Sequence, residues 1–176
     1  VLEREHDIEP IERMFADLDG VQISGKFDRL KDGKLIDYKC TSVWTIIYGS
    51  RVQEWKRQLS IYRWLYFKQK GVILDEMGSV VAILRDWSAK EVKEGSLYPK
   101  SAIIEVPFKL ATLEATEKFL KSKIKDIKLF EREVDAMLPK CTKEERWYND
   151  NTKKYNKCAK YCLARNWCSQ VKNEIR

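Results

Sequence analysis

The dipeptide Asp32-Gly33 separates two segments in which apolar and polar residues alternate, and this arrangement is the strongest constraint on the fold. Residues 21–28 alternate before the dipeptide, and residues 34–39 continue the alternation after it. A period of two is typical of strands with one buried face. An Asp-Gly dipeptide between two such strands indicates a tight turn. The sequence therefore predicts a β-hairpin that turns at residues 32 and 33.

Further strands are predicted on both sides of this hairpin. A short strand over residues 11–15 precedes an Asp19-Gly20 turn. After the hairpin, segments rich in Val and Ile predict strands over residues 77–84 and 102–108. Together with the hairpin, these segments predict one central sheet of mixed strand direction.

Two helices are predicted from apolar residues that recur at steps of three and four. The first covers about residues 51–69, and the second begins near Ala111 and is stopped by Pro139. Residues 41–50 are predicted to be a loop with exposed aromatic rings. The chain order β-β-β-α-β-β-α predicts an α/β or α+β fold, in which helices flank the central mixed sheet.

The length of 176 residues suits a single domain with a core of its own. We expect a core over residues 1–139 and a cysteine-rich tail over residues 140–176, packed on that core. Because the chain does not begin with Met, we expect an upstream helical part to be missing. No apolar run approaches the ~20 residues that span a bilayer, and no signal peptide opens the chain. These features predict a cytoplasmic protein that makes no use of a membrane.

Basic charge is concentrated in two blocks of the chain. The net charge is +7, although residues 1–50 contain more acidic than basic residues. Residues 51–70 hold six Lys and Arg against one acidic residue, and residues 140–176 hold ten against four. Basic blocks of this kind attract phosphate polyanions. The alternative is that they are ordinary solvated surfaces.

Two carboxylates flank the predicted hairpin turn at equal distances. A hairpin centred on residues 32 and 33 places Asp28 opposite Asp37, with Cβ atoms ~5 Å apart. Such carboxylates repel each other unless a cation lies between them, and Mg²⁺ prefers oxygen ligands. Lys39 lies two residues beyond Asp37 and therefore on the same face. The three side chains suit a metal-dependent phosphodiesterase site, and surface ion pairs are the alternative.

Four cysteines crowd the last 36 residues with the spacing C-x16-C-x3-C-x5-C. In a chain without a secretory signal, this clustering predicts a metal or cluster site rather than disulfides. The candidate ligands are Cys141, Cys158, Cys162 and Cys168. We expect the remaining cysteine, Cys40, to be a small core residue.

Three short motifs occur in one order along the chain: G-x-x-D, then D-x-K, then Q-x-x-x-Y. Their residues are Gly25 and Asp28, Asp37 and Lys39, and Gln58 and Tyr62. The joint pattern over about residues 11–67 resembles the PD-(D/E)XK nuclease superfamily, and within it the RecB-like branch of phage-type and CRISPR-associated exonucleases. The resemblance implies a restriction-endonuclease-like core.

The resemblance also implies a role for each matching residue. Asp28 and Asp37 match residues that bind a divalent metal, Mg²⁺ or Mn²⁺, and Lys39 matches a catalytic lysine. Gln58 and Tyr62 match residues that support the site or contact DNA, although Tyr62 alone could be a core residue. The implied activity is a metal-dependent DNA nuclease, specifically an exonuclease of DNA replication, recombination or repair.

The family supplies a further acid or His from an upstream helix. His6 and Glu12 are candidates for this position, and the alternative is that both are ordinary surface residues. We place Glu12 in the strand before Gly20. Two other functions remain open. One is a non-catalytic DNA-binding module with a retained nuclease fold and a structural metal centre. The other is a zinc-ribbon adaptor.

The cysteine tail resembles a second feature of some RecB-like nucleases. These carry an iron–sulfur cluster bound by a terminal Cys triplet and one distant Cys. Cys158, Cys162 and Cys168 match the triplet with looser spacing, and Cys141 would be the fourth ligand. A 4Fe–4S cluster and Zn²⁺ both remain open, since four thiolates satisfy either.

Aromatic and basic residues are interleaved after the hairpin and again in the tail. Trp44 and Tyr48 precede the basic residues of the first helix, and the tail mixes Trp and Tyr with Lys and Arg. Rings of this kind stack unpaired bases, while cations follow the phosphate backbone. The expected partner is DNA bound independently of sequence, with single strands and DNA ends as options.

Overall fold

The computed structural model describes residues 12–131 and 139–172. The chain divides into two compact units between Ser122 and Lys123. The division between a nuclease core and a tail at residue 139 stays a prediction.

The first unit contains the sheet and the helices that follow its strands. Its strands are β1 (Met14–Leu18), β2 (Val21–Gly25), β3 (Arg29–Lys31), β4 (Lys34–Thr41), β5 (Met77–Leu84) and β6 (Ile103–Lys109). Its helices are α1 (Val43–Ile47) and α2 (Val52–Lys70), with a short 3-10 turn at Ala89–Glu91, and α3 (Leu113–Phe130) begins within it.

The main sheet has the strand order β3-β4-β5-β6. β4 runs antiparallel to β3 and parallel to β5, and β6 runs antiparallel to β5. The parallel pair requires a crossover, which α2 supplies between β4 and β5. β1 and β2 form a separate antiparallel hairpin that contacts α2. The predicted α/β architecture, a central mixed sheet flanked by helices, is confirmed.

Both predicted two-residue turns are present. Asp32 and Gly33 have φ angles of 50° and 77°, and they join a pair in which Lys31 lies opposite Lys34. Asp19 and Gly20 likewise have positive φ angles. Positive φ at both turn positions is the geometry that matches the twist of a hairpin, and Asp and Gly tolerate it.

The structure differs from the sequence prediction on either side of the hairpin. The strand predicted over residues 21–28 ends at Gly25, and a separate strand, β3, begins at Arg29, because β2 pairs with β1 while β3 pairs with β4 in the other sheet. The first strand covers Met14–Leu18 rather than residues 11–15. Residues 1–11, which include the start of that prediction, lie outside the described part.

The predicted loop over residues 41–50 contains the short helix α1. The Ser42 hydroxyl caps this helix by accepting a hydrogen bond from the Trp44 N–H at 3.2 Å. The predicted end of the long second helix near Pro139 cannot be compared, because residues 132–138 also lie outside the described part.

The core of the first unit lies between α2 and the sheet. Trp55, Leu59 and Leu65 of α2 are almost fully buried, as are Leu35 of β4 and Val80 of β5. Burying a large apolar side chain contributes ~1.5–3 kcal/mol, so this layer holds α2 firmly against β4.

The second unit consists of short elements. These are β7 (Tyr148–Asn149), β8 (Lys154–Tyr155), α4 (Asn156–Lys160) and α5 (Ser169–Lys172). β7 and β8 pair antiparallel. Nowhere in the described segments is a helix both long enough and apolar enough to cross a membrane.

Candidate active site

Asp37 occupies a buried position in the middle of the main sheet. It lies on β4, where its neighbour on the parallel strand is Val80 of β5. Only 3% of Asp37 is exposed. Leu35, two residues earlier on the same face of β4, is fully buried. A carboxylate in such a row is unfavourable unless charged or polar groups surround it, so its neighbours matter.

Asp28 lies beside Asp37, in the connection between β2 and β3. The β3–β4 register pairs Arg29 with Ile36, so the next opposed pair is Asp28 and Asp37. The Asp28 Oδ2 atom accepts a hydrogen bond from the Tyr38 N–H at 2.8 Å. This bond fixes an exposed carboxylate at the edge of the hairpin, directly next to the buried one.

Lys39 approaches Asp37 along the same face of β4. Its Nζ atom lies 2.6 Å from Asp37 Oδ2, and the lysine side chain is partly exposed. Within the described residues, no hydrogen bond of good geometry reaches this buried Oδ2 atom. The contact is therefore an ion pair, and the charge of Lys39 offsets part of the cost of burying the carboxylate.

The electrostatics of Asp37 reflect these neighbours. Burial raises the pKa of the Asp37 carboxyl above its usual value, and the nearby Asp28 carboxylate raises it further. Lys39 opposes both effects through its close contact with the carboxylate and through its positive charge. A cation placed between the two carboxylates would relieve the cost of keeping both of them ionised.

Gln58 and Tyr62 lie one turn apart on α2 and contact each other. The Gln58 Nε2 atom donates a hydrogen bond to the Tyr62 hydroxyl at 2.7 Å. The Tyr62 ring in turn packs on Gly25 of β2, where an added Cβ would lie 2.7 Å from the ring Cε1 atom. A glycine is thus required at position 25, because the Tyr62 ring leaves no room for a side chain there. This contact links α2 to the strand that leads to Asp28.

A sequence model of the PD-(D/E)XK nuclease superfamily matches residues 1–169. This chain belongs to that superfamily. No curated protein matches the chain. PD-(D/E)XK proteins are generally nucleases that act on DNA with Mg²⁺ or Mn²⁺, and the mixed α/β fold agrees with this membership.

The pair of carboxylates fits the divalent ion that PD-(D/E)XK nucleases use. In the described parts of the chain, no group of three or more His, Cys, Asp or Glu side chains is arranged to hold a metal ion. Mg²⁺, however, is commonly held by one or two carboxylates together with waters and substrate phosphate. Asp28 and Asp37 supply two such carboxylates, one of them with a buried oxygen that lacks a hydrogen bond.

Glu54 belongs to the electrostatic surroundings of the site but is absent from the sequence prediction. The Arg51 guanidinium, which pairs with Glu54 at 2.7 Å, is the main cause of its lowered pKa, and the charge of Lys39 contributes to the same shift. The signal in the sequence is the spacing of four residues between Glu54 and Gln58, which puts both on one helical face.

The two candidate accessory residues differ in whether the structure describes them. His6 lies outside the described residues. Glu12 is exposed and precedes β1, so its placement within the first strand is wrong. Cys40 is also exposed, because it lies on the face of β4 opposite Asp37 and Lys39, and the prediction of a core residue is wrong.

The four cysteines of the tail are all described, but they do not form a metal site there. The Cys158 Sγ atom accepts a hydrogen bond from Arg146 Nε at 3.3 Å. The backbone of Cys141 is bound at both its N–H and its carbonyl by the Gln170 side chain. The structure therefore gives no support to a four-cysteine centre, which rests on the spacing of the cysteines and on the resemblance of the tail to iron–sulfur nucleases.

Proposed function

We propose that this chain is a divalent-metal-dependent DNA nuclease whose reaction centre is formed by Asp28, Asp37 and Lys39. The observation that carries the proposal is the buried Asp37 carboxylate, held between a second carboxylate and an ammonium group 2.6 Å away. A buried carboxylate with a second carboxylate beside it is costly in a protein core. Groups whose pKa values are shifted by burial and by neighbouring charges are concentrated at catalytic sites.

Each of the three groups has a distinct task in phosphodiester hydrolysis. When bound, the ion activates water and neutralises charge on the phosphate. Asp37 and Asp28 would hold that ion. The Lys39 ammonium, held by Asp37, is positioned to stabilise the negative charge that develops on the phosphate oxygens. Gln58 and Tyr62 position the α2 side of the site through their mutual hydrogen bond.

Exonuclease action without sequence preference is the finer form of this proposal. The motif order that resembles RecB-like exonucleases supports it, as do the basic residues of α2, which suit contacts with phosphates rather than with base edges. A role in DNA replication, recombination or repair rests on the same resemblance.

The decisive test is cleavage of end-labelled DNA by the wild type, Asp37→Asn and Lys39→Ala. We expect cleavage in Mg²⁺ or Mn²⁺ and none in EDTA. Both variants should be slower by at least ~10²–10³-fold, because Asp37→Asn loses a charged metal ligand and Lys39→Ala loses the positive charge that stabilises the reacting phosphate. Asp17→Asn, which changes an exposed aspartate of β1, is the matched control and should cleave normally.

Two outcomes would contradict the proposal. Cleavage by Asp37→Asn at the wild-type rate would show that the reaction centre lies elsewhere. Binding of DNA by the wild type without cleavage under any divalent metal would favour the non-catalytic DNA-binding module. The positions of the labelled products also distinguish exonuclease from endonuclease action.

A metal centre at Cys141, Cys158, Cys162 and Cys168 stays a prediction from the sequence. Anaerobically purified protein should be brown and contain about four iron and four sulfide per chain for a 4Fe–4S cluster, or colourless with about one zinc. Cys162→Ser should lose this metal and melt at a lower temperature than Cys40→Ser. Protein without bound iron or zinc would refute the centre and leave the reaction centre unaffected.

A further inference from the structure

Two exposed aromatic rings lie directly beyond the strand that carries Asp37 and Lys39. Trp44 is 55% exposed and Tyr48 is 74% exposed, and we call them the aromatic pair. Their ring centroids are 5.9 Å apart with an interplanar angle of 18°, so the rings are stacked on each other. Trp44 lies in α1 and Tyr48 caps the C-terminal end of that short helix, and the spacing of four residues places both rings on one side.

The aromatic pair does not contribute to the core. The residue of α1 that is buried is Val43, at 1% exposure, whereas both rings keep about half or more of their surface in solvent. A stacked pair that stays this exposed retains outer ring faces on which a further flat group could pack. Such a surface is available to a partner from outside the described fold.

The backbone under the aromatic pair is firmly held. Asp86 accepts hydrogen bonds with both carboxylate oxygens, from the Val43 N–H at 2.7 Å and from the Ser42 hydroxyl at 2.6 Å. These contacts tie the start of α1 to the end of β5, more than forty residues further along the chain. The rings are therefore presented on a fixed support, which lowers the entropy cost of binding.

The aromatic pair is also close to the reaction centre. Trp44 lies five positions after Lys39, so their Cα atoms can be at most about 18 Å apart. Residues 38–53 contain Lys39 and Arg51 and no acidic residue, and α2 continues with further cations. Asp86 is engaged by α1, and Glu54 is engaged by Arg51. The surroundings of the pair therefore favour a polyanion.

The size of the pair argues against a protein as the occupant. An aromatic side chain buries ~150–250 Å², so two rings at these exposures offer on the order of 300 Å². A stable protein interface needs ~800 Å² from each partner. A nucleic-acid base is flat and needs only a ring face to stack on.

We propose that the aromatic pair is a stacking platform for an unpaired base of single-stranded DNA on its way to the reaction centre. This inference rests on the proposed nuclease function and specifies its substrate. Within duplex DNA the bases are stacked on each other, so only the terminal base pairs have a free face for the platform. Stacking does not depend on which base is present, which agrees with sequence-independent action.

The test is binding of a fluorescent thymidine homo-oligonucleotide in EDTA, where no cleavage occurs. Trp44→Ala should bind about 5- to 100-fold more weakly than the wild type, as expected for loss of one base–ring stack, and Tyr48→Ala should also weaken binding. Trp44→Phe should restore most of the affinity. Phe15→Ala, which removes an exposed ring from β1, is the matched control and should bind normally.

An abasic strand of the same length separates stacking from a general structural effect. The wild type and Trp44→Ala should bind this strand with equal affinity, because its backbone is intact but no base can stack. The wild type should also bind the thymidine strand more tightly than a blunt duplex of the same length.

Three results would overturn the platform: unchanged thymidine binding in Trp44→Ala and Tyr48→Ala, an equal loss on the abasic strand, or an equal loss in Phe15→Ala. Self-association of the wild type that Trp44→Ala abolishes, with thymidine binding unchanged, would assign the rings to a second copy of the chain instead. Since binding is measured without metal, a failure of cleavage would refute the nuclease proposal separately.

Discussion

The sheet unit and the cysteine-rich tail are held together by different kinds of contact. The sheet unit contains apolar residues that are at most 1% exposed, such as Leu35, Trp64 and Val80. Among the described residues 139–172, by contrast, the buried residue is a charged one, Arg146, at 4% exposure. Within residues 139–172 there is thus no apolar layer comparable with the one between α2 and the sheet.

Contacts of Arg146 replace an apolar core in the described tail. Its guanidinium carbon lies 3.5 Å from the centroid of the Tyr155 ring, and its Nε atom binds Cys158. The large apolar side chains of Trp147 and Trp167 are half or more exposed. Regions with few buried apolar contacts unfold locally at a lower cost in free energy. We therefore expect the tail to be less stable than the sheet unit.

The largest expected effect comes from removing a buried side chain of the sheet unit. Leu65 of α2 is fully buried, so Leu65→Ala should lower the free energy of unfolding by ~2–5 kcal/mol through lost burial and a residual cavity. Leu97→Ala, at a position that is 82% exposed, is the control and should change it by less than ~0.5 kcal/mol. Equal midpoints of urea unfolding for the two variants would contradict the apolar core.

A smaller effect, confined to the tail, is expected at Arg146. Arg146→Lys keeps the charge but loses the flat group over Tyr155 and the Nε donor, at a cost of ~1–3 kcal/mol. Amide hydrogen exchange should accelerate over residues 139–172 and stay unchanged over α2. Lys160→Arg, the reverse substitution at an exposed position of the same tail, should leave exchange unaltered. Acceleration throughout the chain would show that the two units do not differ in this way.

Polar contacts in the sheet unit should contribute less again. The Glu117 carboxylate forms ion pairs with Lys68 and Lys121 and accepts a hydrogen bond from Trp64 Nε1. These contacts lower its pKa from 4.5 to about 2. Glu117→Gln should cost about 1 kcal/mol or less, because both lysines are well exposed.

The difference in stability between the wild type and Glu117→Gln should depend on pH in a defined direction. A lowered carboxyl pKa stabilises the folded state above the unfolded pKa, so the wild type should be more stable than Glu117→Gln at pH 7. The difference should shrink as the pH falls from about 5 towards 2. Thermal melts of both proteins over this range provide the measurement, and a difference independent of pH would contradict the ionic origin.

The smallest expected effect is a gain in stability at a buried hydroxyl. Ser79 of β5 is fully buried, and its Oγ atom has no hydrogen-bond partner among the described residues. Ser79→Ala removes this unsatisfied group and should raise the free energy of unfolding by up to about 1 kcal/mol. Ser60→Ala is the contrasting variant, since Ser60 Oγ accepts from the Ala111 N–H and its loss should destabilise. A loss in Ser79→Ala equal to that in Ser60→Ala would show that the Ser79 hydroxyl is satisfied.

The parts of the fold that depend on local chemistry were predictable from the sequence. The Asp32-Gly33 turn determines the β3–β4 register, and this register places Asp28 beside Asp37. The helical period identified α2, and the spacing of four residues put Gln58 next to Tyr62. In each case, residues close in sequence determine the result.

Features that depend on distant partners were not predictable in the same way. The break between β2 and β3 arises because the two strands pair in different sheets. Helix α1 is stabilised by Asp86 from the end of β5, and no periodicity over five residues could reveal it. The crowding of cysteines in sequence likewise did not determine how their side chains are arranged in space.

The parallel pairing of β4 with β5 imposes an order on the folding of the chain during synthesis. The β3–β4 hairpin can close within microseconds once its residues are available, because its turn is two residues long. The other edge of β4 can pair only after α2 and β5 have been made, some forty residues later. Until then Asp37 lies on a strand with one open edge and is accessible to water. The burial that raises its pKa is thus completed late, when β5 pairs with β4.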